Sequence, residues 1–156
     1  MTTSVPETNA LPSAQMTLSR PTPSLVHSHP AYVIAFCGGV GLIPIAPGTM
    51  GTLAAFPLFW LLDHYLDPIP FLLLIDVMFI AGIWACGLSG RALGSPDYGG
   101  MVWDETVAFL LVLYFTPAHW AWQLAAFLLF RAFDIAKPQP IRYYDSHLRG
   151  GFGVMF

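Results

Sequence analysis

The sequence predicts an all-α integral membrane protein, a polytopic helical bundle of about four transmembrane or re-entrant helices with a Gly/Pro-rich loop. Two observations carry this. Of its 156 residues, 56% are hydrophobic and 10% charged, with a mean hydropathy of +0.63, whereas a soluble domain this small needs more polar surface. The apolar residues also fall into runs of helical length separated by short polar connections.

Residues 1–30 are rich in Ser, Thr and Pro and contain no apolar run. They read as a disordered, cytosol-accessible tail. A secretory signal would need a charged start and an apolar core. Residues 31–156 then make one membrane domain. Residues 31–37 are apolar but too short to span. Residues 38–51 hold five glycines and two prolines, a composition that opposes a regular helix. An apolar helix is expected over 52–65. Residues 69–89 are long enough to cross a bilayer, which takes about 20 residues, although they carry Asp76. A helix over 101–115 has Asp104 and Glu105 in its first turn, and one over 119–136 has Arg131 and Asp134 in its last.

The connections at 63–68 and 116–119 lack Lys and Arg, whereas the tail has Arg20, the 90–100 loop has Arg91 and the final segment has Lys137, Arg142 and Arg149. Basic residues favour the cytoplasmic side, so the tail, the 90–100 loop and the final segment are expected there. Nearly all the chemistry then gathers at one membrane face. Asp97, Asp104, Glu105, Arg131, Asp134, Lys137, Arg142 and Asp145 all fall in these segments or at the helix ends they adjoin.

Several function classes are excluded. No basic arm suits nucleic acid. Cys37 and Cys86 sit in apolar surroundings and read as packing residues, and Cys86 to Arg91 is one residue short of a Cys-x5-Arg phosphatase loop. The Gly/Pro loop lacks the Lys of a Walker A motif. Neither the Asp-Gly-x2-Ala-Arg motif of lipid phosphotransferases nor the Ser-Gly-His motif of histidine-nucleophile lipid phosphatases is present. His64 and His119 show no metal-ligand spacing. Asp76 reads as a protonated carboxyl facing another helix.

What remains is a set of carboxylates at neighbouring helix ends. Such a set suits Mg²⁺, a hard cation that takes oxygen ligands and keeps water. An acidic pair in a first turn also favours the helix dipole. A charge placed in lipid costs about 2.5–3.5 kcal/mol, which weighs against a purely structural role. Arg131, Asp134 and Lys137 are spaced i, i+3, i+6 on one helix face, with Arg142 beyond, and Arg and Lys suit phosphate. The Gly/Pro loop, with Gly48, Thr49 and Thr52, can present backbone N–H groups and hydroxyls to an anion ahead of a helix N-terminus.

The loop GLIPIAPGTMGT at 41–52, the run VWDE at 102–105, the stretch FRAFDIAKPQPIR at 130–142 and GGFG at 150–153 together resemble the phosphatidylglycerophosphatase A family. The match covers most of the chain from residue 31 onward. The resemblance implies a Mg²⁺-dependent phosphatase of the bacterial inner membrane. Its substrate would be the lipid phosphatidylglycerophosphate, dephosphorylated at the cytoplasmic face to phosphatidylglycerol in phospholipid biosynthesis. It makes Asp97, Asp104, Glu105, Asp134 and Asp145 candidate metal ligands or acid/base groups. Lys137 joins Asp104, Glu105 and Asp134 as a catalytic candidate. Gly48, Thr49, Arg131, Lys137 and Arg142 become candidates for binding the substrate. Family members continue past the Gly-Gly-x-Gly run with two aspartates and a further helix, so the chain is expected to be truncated at Phe156. A small membrane transporter or assembly subunit without catalytic activity is the rival reading. It would tolerate loss of the cytoplasmic carboxylates.

Overall fold

The computed structural model describes residues 21–95 and 98–136, together with Gly153 and Met155. The described residues are all helical or irregular, with no strand among them. Two short helices, α1 (Pro23–Val26) and α2 (Pro30–Ala35), lead into a 3-10 stretch, Cys37–Leu42. Four longer helices follow: α3 (Pro47–Tyr65), α4 (Pro68–Leu93), α5 (Trp103–Phe115) and α6 (Trp120–Ala136).

Helix boundaries follow local chemistry. Proline opens α1, α2, α3 and α4, the position where its missing N–H costs nothing. Gly94, at φ 67°, ends α4 in the left-handed conformation that glycine supplies. Gly38 and Gly39, at φ 67° and 104°, interrupt the 3-10 stretch. The expectation that residues 38–51 hold no regular helix is corrected at their C-terminal end. Pro47 starts α3, and Gly48–Gly51 continue it, five residues before the expected start at 52. Two glycines in that turn cost about 1 kcal/mol each relative to alanine, but they admit neighbours that a side chain would block. At Gly51 an added Cβ would lie 2.7 Å from Val102 Cβ.

The register of the bundle can be read from side-chain contacts. Phe56 of α3 meets Phe109 of α5 at 5.3 Å between ring centroids, and Phe109 meets Phe127 and Phe130 of α6 at 6.0 and 5.2 Å. Because Gly51 also packs against Val102, and Gly48 against Glu105 and Arg131, helices α3 and α5 run parallel, with α6 antiparallel to both. Trp103 donates its indole N–H to the Met78 carbonyl at 3.0 Å, and Tyr114 donates to Pro68 at 3.4 Å, so α4 is antiparallel to α5. Helix α5 is half the length of α4. Its first turn thus lies beside the middle of α4 rather than beyond its end. The Val102 N–H donates to the Ala35 carbonyl at 3.0 Å and anchors this turn to α2. Met155 also returns to this level, with its sulfur against Gly82.

Among the described residues α4 is the one helix long and apolar enough to cross a bilayer. Its 26 residues rise about 39 Å at 1.5 Å each. Many large apolar side chains face outward on several helices, among them Trp60, Leu73, Ile80, Trp120 and Leu129. Asp76 does not face another helix as expected. It is exposed, because α4 buries the stripe Phe71, Ile75, Gly82, Ala85 and Cys86, and position 76 lies off that stripe.

Candidate active site at the head of helices α3 and α5

Three helix ends meet at one place. They are the N-termini of α3 and α5 and the last turns of α6. The aromatic contacts of Phe109 lie one turn below this point on α5 and immediately before Arg131 on α6, so the packing that orders the core also sets the spacing of the charged groups. Edge and tilted aromatic contacts contribute about 0.5–1.5 kcal/mol each beyond area burial. Thr106 adds a polar tie. Its hydroxyl lies 2.9 Å from the Gly51 carbonyl and 3.0 Å from that of Val102, with Cys37 Sγ at 3.7 Å. The Thr52 hydroxyl donates to the Gly48 carbonyl at 2.9 Å.

Gly48 is the meeting point. A Cβ added there would lie 2.5 Å from Glu105 Oε1 and 3.4 Å from both terminal nitrogens of Arg131. Glycine is required at this position for close approach, since its φ is not in the left-handed region. Arg131 donates from its NH1 to Asp134 Oδ2 at 2.6 Å, one turn along α6. Its side chain is only 14% exposed.

Buried polar atoms gather around this point. Asp104 Oδ1, Glu105 Oε2 and Arg131 Nε are buried with no hydrogen-bond partner among the described residues. Such atoms are costly unless they serve a ligand. Asp104 stands in the first turn of α5, outside the candidate span α4. Burial, followed by the neighbouring Glu105 side chain, pushes its carboxyl well above the usual carboxylate range.

The sequence-predicted residues divide accordingly. Gly48, Glu105, Arg131 and Asp134 are brought together, with Asp104 adjacent to Glu105. Thr49 is half-buried beside Gly48 in the first turn of α3. Asp97, Lys137, Arg142 and Asp145 lie outside the described residues. Among the described residues no three His, Cys, Asp or Glu side chains form a metal-binding group. The two adjacent carboxylates with unpartnered oxygens still fit Mg²⁺, which commonly binds through one or two carboxylates together with substrate phosphate. Sequence reasoning missed Thr106 and Trp103, whose bonds to Gly51 and Met78 hold the first turn of α5. Their signal was position alone, flanking Asp104 and Glu105.

Comparison with known proteins identifies the family. The family model described as Phosphatidylglycerophosphatase A matches residues 33–156. A Phosphatidylglycerophosphatase A of Haemophilus influenzae is 42% identical over 141 residues, covering 90% of this chain and 86% of the relative. That of Escherichia coli is 39% identical over 129 residues, covering 82% and 74%. A provisionally named phosphatidylinositol-3-phosphatase of Bacteroides thetaiotaomicron is 38% identical over 125 residues, covering 75% and 77%. No solved structure matches. With its glycine, carboxylates and arginine gathered at one end of the bundle, the chain belongs to the phosphatidylglycerophosphatase A family of phosphatases.

Proposed function

We propose that this chain hydrolyses the terminal phosphomonoester of phosphatidylglycerophosphate, releasing phosphate and phosphatidylglycerol for phospholipid biosynthesis. The observation that carries the reading is the convergence of Glu105 and Arg131 on Gly48, beside carboxylate oxygens that no donor among the described residues satisfies. The relatives' names supply the substrate.

In this reading the Arg131 guanidinium holds non-bridging oxygens of the phosphoryl group and offsets charge that builds up in the transition state. Asp134 fixes the guanidinium through their ion pair. Glu105 orients the attacking water and accepts its proton as the P–O bond to water forms. The P–O bond to glycerol breaks, and the leaving alkoxide takes a proton from solvent water. Asp104 and Glu105 would hold Mg²⁺, which when bound polarises phosphoryl oxygens and acidifies water. Lys137 and Arg142 are further phosphate contacts in the proposal, and Asp97 and Asp145 further metal ligands.

An aspartyl-phosphate route through Asp104 or Asp134 is the other chemical possibility. The grip of Arg131 on Asp134 disfavours Asp134 as the nucleophile, because a carboxylate held by a guanidinium is a weaker nucleophile. Trapping with phosphate-labelled lipid separates the two routes, since a covalently labelled chain would overturn direct water attack. We place the protein in the bacterial inner membrane as a multi-pass bundle with this site facing the cytoplasm. The candidate span α4, the outward apolar residues and the distribution of Lys and Arg support that placement.

A further inference from the structure

A half-open cavity of about 370 Å³ is lined by residues 41–44 and 47, by residues 98–100 and by Pro21. Its volume falls in the range of small-molecule sites. Both walls continue directly into the reactive groups. Pro47 lines the cavity, and the next residue is Gly48, where Glu105 and Arg131 converge. Gly100 lines it too, and the chain passes from there to Asp104. The walls are pinned together where Gly41 and Gly100 meet backbone to backbone. An added Cβ at Gly100 would lie 2.7 Å from the Gly41 carbonyl oxygen, and one at Gly41 would fall on the Gly100 carbonyl.

The lining has no charged side chain among the described residues. It is made of proline, glycine, Leu42, Ile43 and one polar side chain, the phenol of Tyr98. The Tyr98 ring is seated on Phe36 at 6.0 Å between centroids. A phenol can donate and accept a hydrogen bond. A half-open space whose described lining is neutral and offers one hydroxyl, with Pro47 in its wall directly preceding Gly48 in the chain, matches a neutral hydroxylated segment attached to the phosphate.

We propose that this cavity is a headgroup subsite, in which Tyr98 hydrogen-bonds the free hydroxyl of the glycerol next to the scissile phosphate. The subsite rests on the phosphatase reading above and adds to it a specificity-determining residue. Tyr98 acts on binding, away from the reacting atoms, so its effect belongs in KM rather than kcat.

The test compares phosphatidylglycerophosphate with an analogue whose headgroup glycerol is replaced by 1,3-propanediol, both in detergent micelles with Mg²⁺. One neutral hydrogen bond corresponds to about a 3–10-fold difference in KM. The wild-type chain is expected to favour the hydroxylated lipid by that factor, and Tyr98→Phe is expected to bring the KM ratio to near one. A second variant, Ile43→Trp, narrows the cavity at a partly exposed position and is expected to raise KM for both lipids. A preference that survives Tyr98→Phe, equal KM values in the wild type, or an Ile43→Trp chain with unchanged KM would overturn the subsite. If the wild type releases no phosphate from either lipid, the phosphatase reading itself falls, and the subsite falls with it.

Discussion

Gly48 and Glu105 are in closer contact than any other residue could permit at position 48. An added Cβ would lie 2.5 Å from Glu105 Oε1. The obstructing atom is the far end of a flexible side chain, so Gly48→Ala is expected to fold and to displace the carboxylate. A shift of about 1 Å in a catalytic group can cost about 10²-fold in rate. We expect a loss of that order with the thermal midpoint within a few degrees of wild type, measured by phosphate release and differential scanning fluorimetry. A fully active Gly48→Ala chain would show that Glu105 needs no fixed position.

Asp104 should show opposed effects on stability and activity. Burial and the adjacent Glu105 hold its carboxyl above the usual range, so the folded chain keeps a proton that the unfolded chain releases. That contribution to stability is complete at acid pH and is lost as pH rises through the folded pKa. Asp104→Asn removes the ionisable group. Without Mg²⁺ it is expected to raise the melting temperature at neutral or alkaline pH. The gain should vanish in acid, and phosphatase activity should be lost at every pH.

The Arg131–Asp134 pair predicts non-additive kinetics. Arg131→Lys keeps the charge but loses the planar fork. A hydrogen bond to a charged group contributes about 1.5–3 kcal/mol, so kcat/KM should fall about 10–100-fold. Asp134→Asn should lower kcat/KM less, because it only loosens the guanidinium. The double variant should resemble Arg131→Lys alone, since contacting residues couple. Additive losses would mean that Asp134 acts independently of Arg131.

Much of this arrangement was legible in the sequence. Helices α4, α5 and α6 begin and end within about four residues of their expected bounds, because long apolar runs with Pro and Gly at their ends leave little choice. Asp104, Glu105, Arg131 and Asp134 stood out as charges in apolar helices. The start of α3 was misjudged because glycine content was weighed as propensity alone. Gly48 and Gly51 are tolerated in a helix because they let Glu105 and Val102 approach, a tertiary effect that no local pattern displays. The exposure of Asp76 depended likewise on which stripe of α4 is packed. The Tyr98 cavity arises from two segments about 55 residues apart in the chain meeting at Gly41 and Gly100, and neither segment announces it alone.

Membrane orientation has its own test. Ser28 and Asp63 are both exposed, one in the expected tail and one in the last turn of α3, beside the connection to α4. With a cytoplasmic tail and an external first connection, a membrane-impermeant maleimide added to intact cells should label Asp63→Cys and spare Ser28→Cys. The reverse pattern would invert the topology and place the site on the outer face.

The most direct test of the central claim is phosphate release from phosphatidylglycerophosphate by the purified chain with Mg²⁺, measured beside Glu105→Gln. The account predicts turnover that stops on chelation and a loss of about 10²-fold or more in Glu105→Gln at an unchanged melting temperature. Glu105→Gln turning over at the wild-type rate would contradict it.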